Sequence, residues 1–107
     1  MTKSKIKKIA SEVGRLIKEE FKPKDVILFG SSAAGKSSKN SDFDILVIME
    51  TNLKPYKQAT LIRMRLDEKL GTKFPMDLMV RTPQQIKERL QLGDFFIKSV
   101  VTKGIHL

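Results

Sequence analysis

The sequence predicts an α/β fold, a small mixed β-sheet of three or four strands flanked by helices in the order αβ-loop-βαβα. Two observations lead to this prediction. Apolar residues spaced three and four positions apart mark amphipathic helices at 4–21 and 55–70. Short apolar runs at 26–29, 43–49 and 74–80 are bounded by glycine, proline and serine, which is typical of strands. A chain of 107 residues has the size of one domain, so we expect a single unit, 1–107.

The two long helices have clear end signals. The first has an apolar stripe on one face and ends before Pro23. The second takes Pro55 at its first position, where a missing N–H costs nothing, and ends at Gly71. Arg63 and Arg65 fall off its apolar stripe and are predicted to lie on a solvated face, with contact to phosphate as the lesser alternative.

The C-terminal part of the chain predicts two further helices. Thr82 is an N-cap followed by Pro83 at the first helical position, and this helix continues to about residue 92. The apolar stretch 95–101 is predicted to be helical and to end at Gly104. Residues 105–107 are expected to add a short strand, with His106 as a terminal surface residue.

Composition excludes several classes of site. The chain has no cysteine, so disulfides and cysteine-bound zinc are unavailable, and its one histidine cannot form a histidine cluster. No apolar run is long enough to cross a bilayer, and we expect a cytoplasmic protein. The net charge of +9 allows nucleic acid, nucleotide triphosphates or an acidic protein as partner. Nucleic acid has no further support, because no aromatic-rich stretch could stack bases.

The loop after the first strand fits a phosphate-binding motif. Residues 30–37, GSSAAGKS, match the P-loop pattern G-x-x-x-x-G-K-[ST]. A P-loop, however, opens a helix, and the next strand must then run parallel to the first across a long connection. Only the turn-favouring residues 38–42 precede the next apolar run. We therefore keep the P-loop NTPase only as a minor alternative.

Three carboxylates suggest a metal-dependent site. Asp42 and Asp44 open the central strand, and the alternation of side chains along a strand places both on one face. Asp77 stands between Met76 and Leu78 in an apolar run, where an acid is expected only if it faces a site or forms an ion pair. Mg²⁺ prefers carboxylate oxygens together with substrate phosphates, and three acids could hold two ions.

The motif resembles that of the minimal nucleotidyltransferases, single-domain members of the superfamily that includes DNA polymerase beta. Their pattern GS-x-A-x-G, five residues, S-D-x-D falls without a gap on this chain. The matched positions are Gly30, Ser31, Ala33, Gly35, Ser41, Asp42 and Asp44. The resemblance implies a nucleotidyltransferase fold with Asp42, Asp44 and Asp77 as catalytic and metal-binding residues. It also implies that Gly30, Ser31, Lys36 and Ser41 bind the nucleotide.

The resemblance further implies the cofactor, the substrate and a partner. We expect two Mg²⁺ ions, ATP as the nucleoside triphosphate, and transfer of AMP to a hydroxyl acceptor. The acceptor implied is a tyrosine of a HEPN-domain protein, for which such chains act as antitoxins. One position departs from the family, since Ala34 stands where an arginine is usual. This departure keeps open a binding-only antitoxin or regulatory subunit, and the +9 charge keeps open a nucleic-acid-binding module.

Overall fold

The computed structural model describes residues 3–33, 43–71 and 75–107. Its elements, in chain order, are α1 Lys3–Phe21, β1 Asp25–Phe29, α2 Gly30–Ala33, β2 Phe43–Ile48, α3 Pro55–Leu70, β3 Met76–Arg81, α4 Pro83–Gln91, α5 Phe95–Lys103 and β4 Ile105–His106. The predicted α/β class is confirmed, and the described parts of the predicted strands and helices keep their positions to within two residues. The C-terminal stretch also forms the predicted helix and short strand.

The four strands form one mixed sheet in the order β3-β2-β1-β4. β1 pairs antiparallel with β2 and with β4, whereas β2 and β3 run parallel. The parallel pair requires a crossover, which the 16-residue helix α3 supplies. The antiparallel β1–β2 pair corrects the P-loop alternative, because a P-loop unit needs two parallel strands at this point.

Helices cover both faces of the sheet, as the apolar character of the central strand predicts. On one face, Ile45 and Val47 of β2 pack with α1 and α3. On the other, Leu46 and Ile48 of β2 pack against Ile97 of α5, together with residues of β1 and α4. Alternation along β2 therefore divides its side chains between two apolar clusters.

Local sequence signals fix the helix ends. Gly71 ends α3 in the left-handed conformation, with φ 57°, and donates its N–H to Asp67 O. Thr82 and Gln85 form a reciprocal capping box at the start of α4. The Asp94 carboxylate accepts the backbone N–H of Ile97 and so caps α5.

His106 lies at the surface, as predicted, and its side chain also ties the last strand to the rest of the fold. Its side chain is about half exposed, but Nδ1 lies 2.7 Å from Asp25 Oδ2 and Nε2 lies 2.9 Å from Val101 O. Leu107 then packs on Gly14 of α1, where a β-carbon would lie 2.8 Å from the Leu107 β-carbon. None of the helices in the described ranges is long and apolar enough to cross a membrane.

Candidate active site

Two of the three predicted acids lie side by side at one end of the sheet. Asp44 and Asp77 are each the second residue of their strand, and they are register partners in the parallel β2–β3 pair. Neighbouring strands lie about 4.8 Å apart, and side chains at paired positions project from the same face. Residues 33 positions apart in the chain are thus brought together by the α3 crossover.

The exposed fraction of the two acids fits a site open to solvent. The Asp44 side chain is half-buried and the Asp77 side chain is exposed. Asp77 forms no ion pair within residues 3–33, 43–71 and 75–107. The ion pair that the sequence left open for Asp77 is therefore not formed among these residues. The same described ranges contain no group of three acids or histidines that could hold a metal ion. The third predicted ligand, Asp42, lies outside them.

Gly30 is in direct contact with the Asp44 carboxylate. Its φ is +76°, a conformation that favours glycine. A β-carbon at this position would overlap Asp44 Oδ2 and lie 3.3 Å from Asp44 Cγ. The backbone conformation therefore favours glycine, and any larger residue would also require the Asp44 carboxylate to move. This contact brings the predicted phosphate-binding turn and a predicted metal ligand to the same point.

The residues after Gly30 begin a short helix, which corrects the prediction that a loop starts at Gly30. Residues 30–33 form α2, with Ser31 exposed and Ser32 buried. Four residues are too few to show helical periodicity in the sequence. Ser31 is thus accessible next to Gly30, the residue that meets the Asp44 carboxylate. Lys36, Ser41, Ala34 and Gly35 lie outside the described residues, as does Asp42.

Arg63 supports the start of β3, a role that the sequence analysis did not find. Its Nη1 donates to the backbone carbonyl of Met76 at 3.3 Å, and its Nε donates to Asp67 Oδ1 at 3.1 Å. Met76 directly precedes Asp77, so this bond fixes the strand where the acid projects. The Arg63 side chain is 31% exposed, so the predicted solvated face holds only in part. Only the spacing of Arg63 and Asp67 could have indicated part of this arrangement.

An apolar groove borders the site on the side of α5. It has a volume of about 310 Å³ and lies between the Phe29–Ala33 segment and one face of α5. Phe96 lines this groove, with its ring edge-on to Phe29 at a centroid distance of 5.6 Å and an interplanar angle of 79°. Phe29 is the register partner of Asp44, so the aromatic pair stands next to the acids.

The chain is similar to known proteins along most of its length. Residues 6–106 match a family model described as a nucleotidyltransferase domain. The chain is also similar to a protein of Methanocaldococcus jannaschii named "Putative protein adenylyltransferase MJ1379". The two are 33% identical over 76 residues, which cover 70% of this chain and 76% of the relative.

Proposed function

Since the chain belongs to the nucleotidyltransferase family and has the minimal form of that domain, we propose that it is a Mg²⁺-dependent adenylyltransferase. It transfers AMP from ATP to a hydroxyl group, and the proposed acceptor is a tyrosine of a HEPN-domain protein. The chain would act as the antitoxin of that protein in the cytoplasm, where ATP is available. The observation that carries the proposal is the paired position of Asp44 and Asp77 beside Gly30.

The donor set fits Mg²⁺. Asp44 and Asp77 offer carboxylate oxygens at one point of the sheet, and two like charges side by side favour a cation between them. Asp42, two residues before Asp44, is the proposed third ligand, which would allow two ions. Bound Mg²⁺ would neutralise charge on the triphosphate and on the oxygens that attack and leave.

The protein groups have distinct roles in the proposed transfer. Gly30 and Ser31 bind the β- and γ-phosphates through a backbone N–H and a hydroxyl, together with Lys36 and Ser41. Asp77 accepts the proton of the acceptor hydroxyl. The hydroxyl oxygen forms a bond to the α-phosphorus, the bond from that phosphorus to the bridging oxygen breaks, and pyrophosphate leaves.

The acceptor class is supported by the name of a relative, which is called a protein adenylyltransferase. A partner protein would supply the tyrosine and one wall of the site. A HEPN-domain protein is the proposed partner, because this chain resembles chains that are paired with such proteins.

The test is transfer of radiolabel from [α-³²P]ATP to the purified HEPN-domain protein. We expect Mg²⁺-dependent labelling of a tyrosine by the wild type and at least a hundredfold loss in Asp44→Asn and Asp77→Asn. Glu50→Gln is the matched control, because Glu50 is an exposed carboxylate two residues beyond the opposite end of β2. Undiminished transfer by either aspartate variant would refute the assignment.

A second candidate is a binding-only antitoxin, which Ala34 favours because the usual arginine is absent there. In that case the chain would bind and inhibit the HEPN-domain protein without labelling it. The same assay separates the two: a stable complex that carries no label at any Mg²⁺ concentration would support the binding-only function.

A further inference from the structure

The turn between α4 and α5 carries a group of exposed apolar side chains. Leu92 is 77% exposed, Phe95 86% and Phe96 49%. We call these three residues the corner patch. Large apolar side chains gathered at this exposure are typical of interaction sites on soluble domains. They contribute little to the fold, since the buried residues of α5 are Ile97 and Val100.

The corner patch lies at the same end of the sheet as the acids. Phe96 contacts Phe29 edge-on at 5.6 Å, and Phe29 is the register partner of Asp44. Asp44 is in turn the register partner of Asp77. A molecule seated on the corner patch would therefore reach the acids without crossing the domain.

The backbone that presents the corner patch is fixed. Asp94 caps α5 by accepting the N–H of Ile97 at 3.0 Å, and its other oxygen accepts Arg89 Nε at 2.8 Å. Hydrogen bonding to Ile97 and then to Arg89 lowers the pKa of Asp94, so the cap is ionised at neutral pH. Such preorganisation reduces the entropy lost when a partner binds.

Charge around the corner patch selects the kind of occupant. α4, α5 and the turn between them carry four cations and two carboxylates, which are Lys87, Arg89, Lys98, Lys103, Glu88 and Asp94. Both carboxylates are engaged, Asp94 with Arg89 and Glu88 with Gln84. The remaining lysines and the net charge of +9 disfavour a second copy of this chain, because a symmetric contact would face like charges. They favour an apolar surface bordered by carboxylates.

We propose that the acceptor protein docks on the corner patch through an apolar surface with an acidic rim, which delivers its hydroxyl to Asp44 and Asp77. This inference rests on the proposed function and adds the surface that chooses the acceptor. Exposed phenylalanine rings beside lysines could also stack on the bases of a nucleic acid, so that partner is one of the outcomes that the test separates.

The test measures label transfer from [α-³²P]ATP into an extract of the native cells, cleared of small molecules, with purified chain added. The test variant is Phe95→Glu, in which glutamate occupies the first residue of α5, a position favourable for an acid. The matched control is Met64→Glu, because Met64 is 58% exposed on α3, which packs against the other face of the sheet. ATP binding, measured by fluorescence of a methylanthraniloyl analogue, reports on the nucleotide site in every variant.

We expect the wild type and Met64→Glu to label the same protein band, and Phe95→Glu to label it at least tenfold less while binding ATP unchanged. Raising NaCl from about 50 to about 300 mM should reduce labelling by the wild type, because salt screens the attraction between the acidic rim of the acceptor and the lysines around the corner patch. Equal labelling by Phe95→Glu and the wild type would overturn the docking surface and leave the proposed function intact.

The other outcomes are also decisive. Label found in RNA, or in a small molecule added back to the extract, would overturn a protein acceptor but not nucleotidyl transfer. Loss of labelling in Met64→Glu to the same extent as in Phe95→Glu would show that the effect is not specific to the corner patch. No label in any product from the wild type would count against both the inference and the proposed function.

Discussion

Replacing Gly30 with alanine tests the contact between the proposed phosphate-binding turn and the Asp44 carboxylate. Gly30 has φ +76° and meets the Asp44 carboxylate, whereas Gly93 has φ +78° and no atom within 4 Å of a built β-carbon. The two glycines thus share one backbone conformation and differ in their surroundings. Gly93→Ala is therefore the matched control for backbone strain alone.

The expected magnitudes follow from these two geometries. An alanine in the left-handed region costs about 1–2 kcal/mol, and this is the whole effect expected for Gly93→Ala. Gly30→Ala adds the overlap with Asp44 Oδ2, and such overpacking costs about 1–3 kcal/mol more. The free energy of unfolding should therefore fall by about 2–5 kcal/mol in Gly30→Ala.

Urea unfolding of four proteins isolates the contact: the wild type, Gly30→Ala, Asp44→Ala and the double variant. Removing the carboxylate removes the atoms that a β-carbon would meet, so Gly30→Ala should cost only the strain in the Asp44→Ala background. A coupling energy of about 1–3 kcal/mol is expected. Equal destabilisation by Gly30→Ala and Gly93→Ala, with no coupling to Asp44, would refute the contact.

Three further predictions concern other parts of the chain. The hydrogen bond to Asp25, and then that to the Val101 carbonyl, raise the pKa of His106 above its usual 6.5. The stabilisation from the protonated His106 is complete below pH 6.5 and is lost as pH rises through the raised pKa. His106→Gln should therefore lower the free energy of unfolding more at about pH 6 than at about pH 9. The difference should be no more than about 1 kcal/mol, because the ion pair is half exposed. Urea unfolding at both pH values measures this, and an equal cost would contradict it. Gly104→Ala should lower the free energy of unfolding by about 1–3 kcal/mol, because the alanine β-carbon would meet Ile27 Cγ2 and Val100 O. Thermal unfolding measures this loss, and an unchanged midpoint temperature would contradict the prediction. Ala34→Arg should raise the rate of AMP transfer about tenfold or more by supplying the usual cation, and a rate equal to that of the wild type would argue against that role.

Much of the fold follows from local pattern. The period of the apolar residues distinguishes strands from helices, and the run after Asp44 correctly indicated a sheet covered on both faces. The sequence predicted that Asp44 and Asp77 share a site, but it did not predict that they are register partners. The register of a parallel pair depends on how α3 returns the chain to the sheet.

The features that the sequence did not reveal depend on distant partners. His106 meets Asp25 across 81 positions. Leu107 packs against Gly14, where a β-carbon would be too close, so a residue that by local propensity only weakens the helix makes room for this contact. Arg63 reaches the backbone of Met76 across 13 positions. No local period encodes such contacts, since they exist only once the sheet has formed.

The central claim is that Asp44 and Asp77 hold a divalent cation together with the nucleotide. The most direct measurement is a Mn²⁺ titration followed by electron paramagnetic resonance in the presence of a non-hydrolysable ATP analogue. We expect the wild type and Glu50→Gln to bind the ion, and Asp44→Asn and Asp77→Asn each to weaken this binding at least tenfold. Unchanged titration curves for both aspartate variants would contradict the claim.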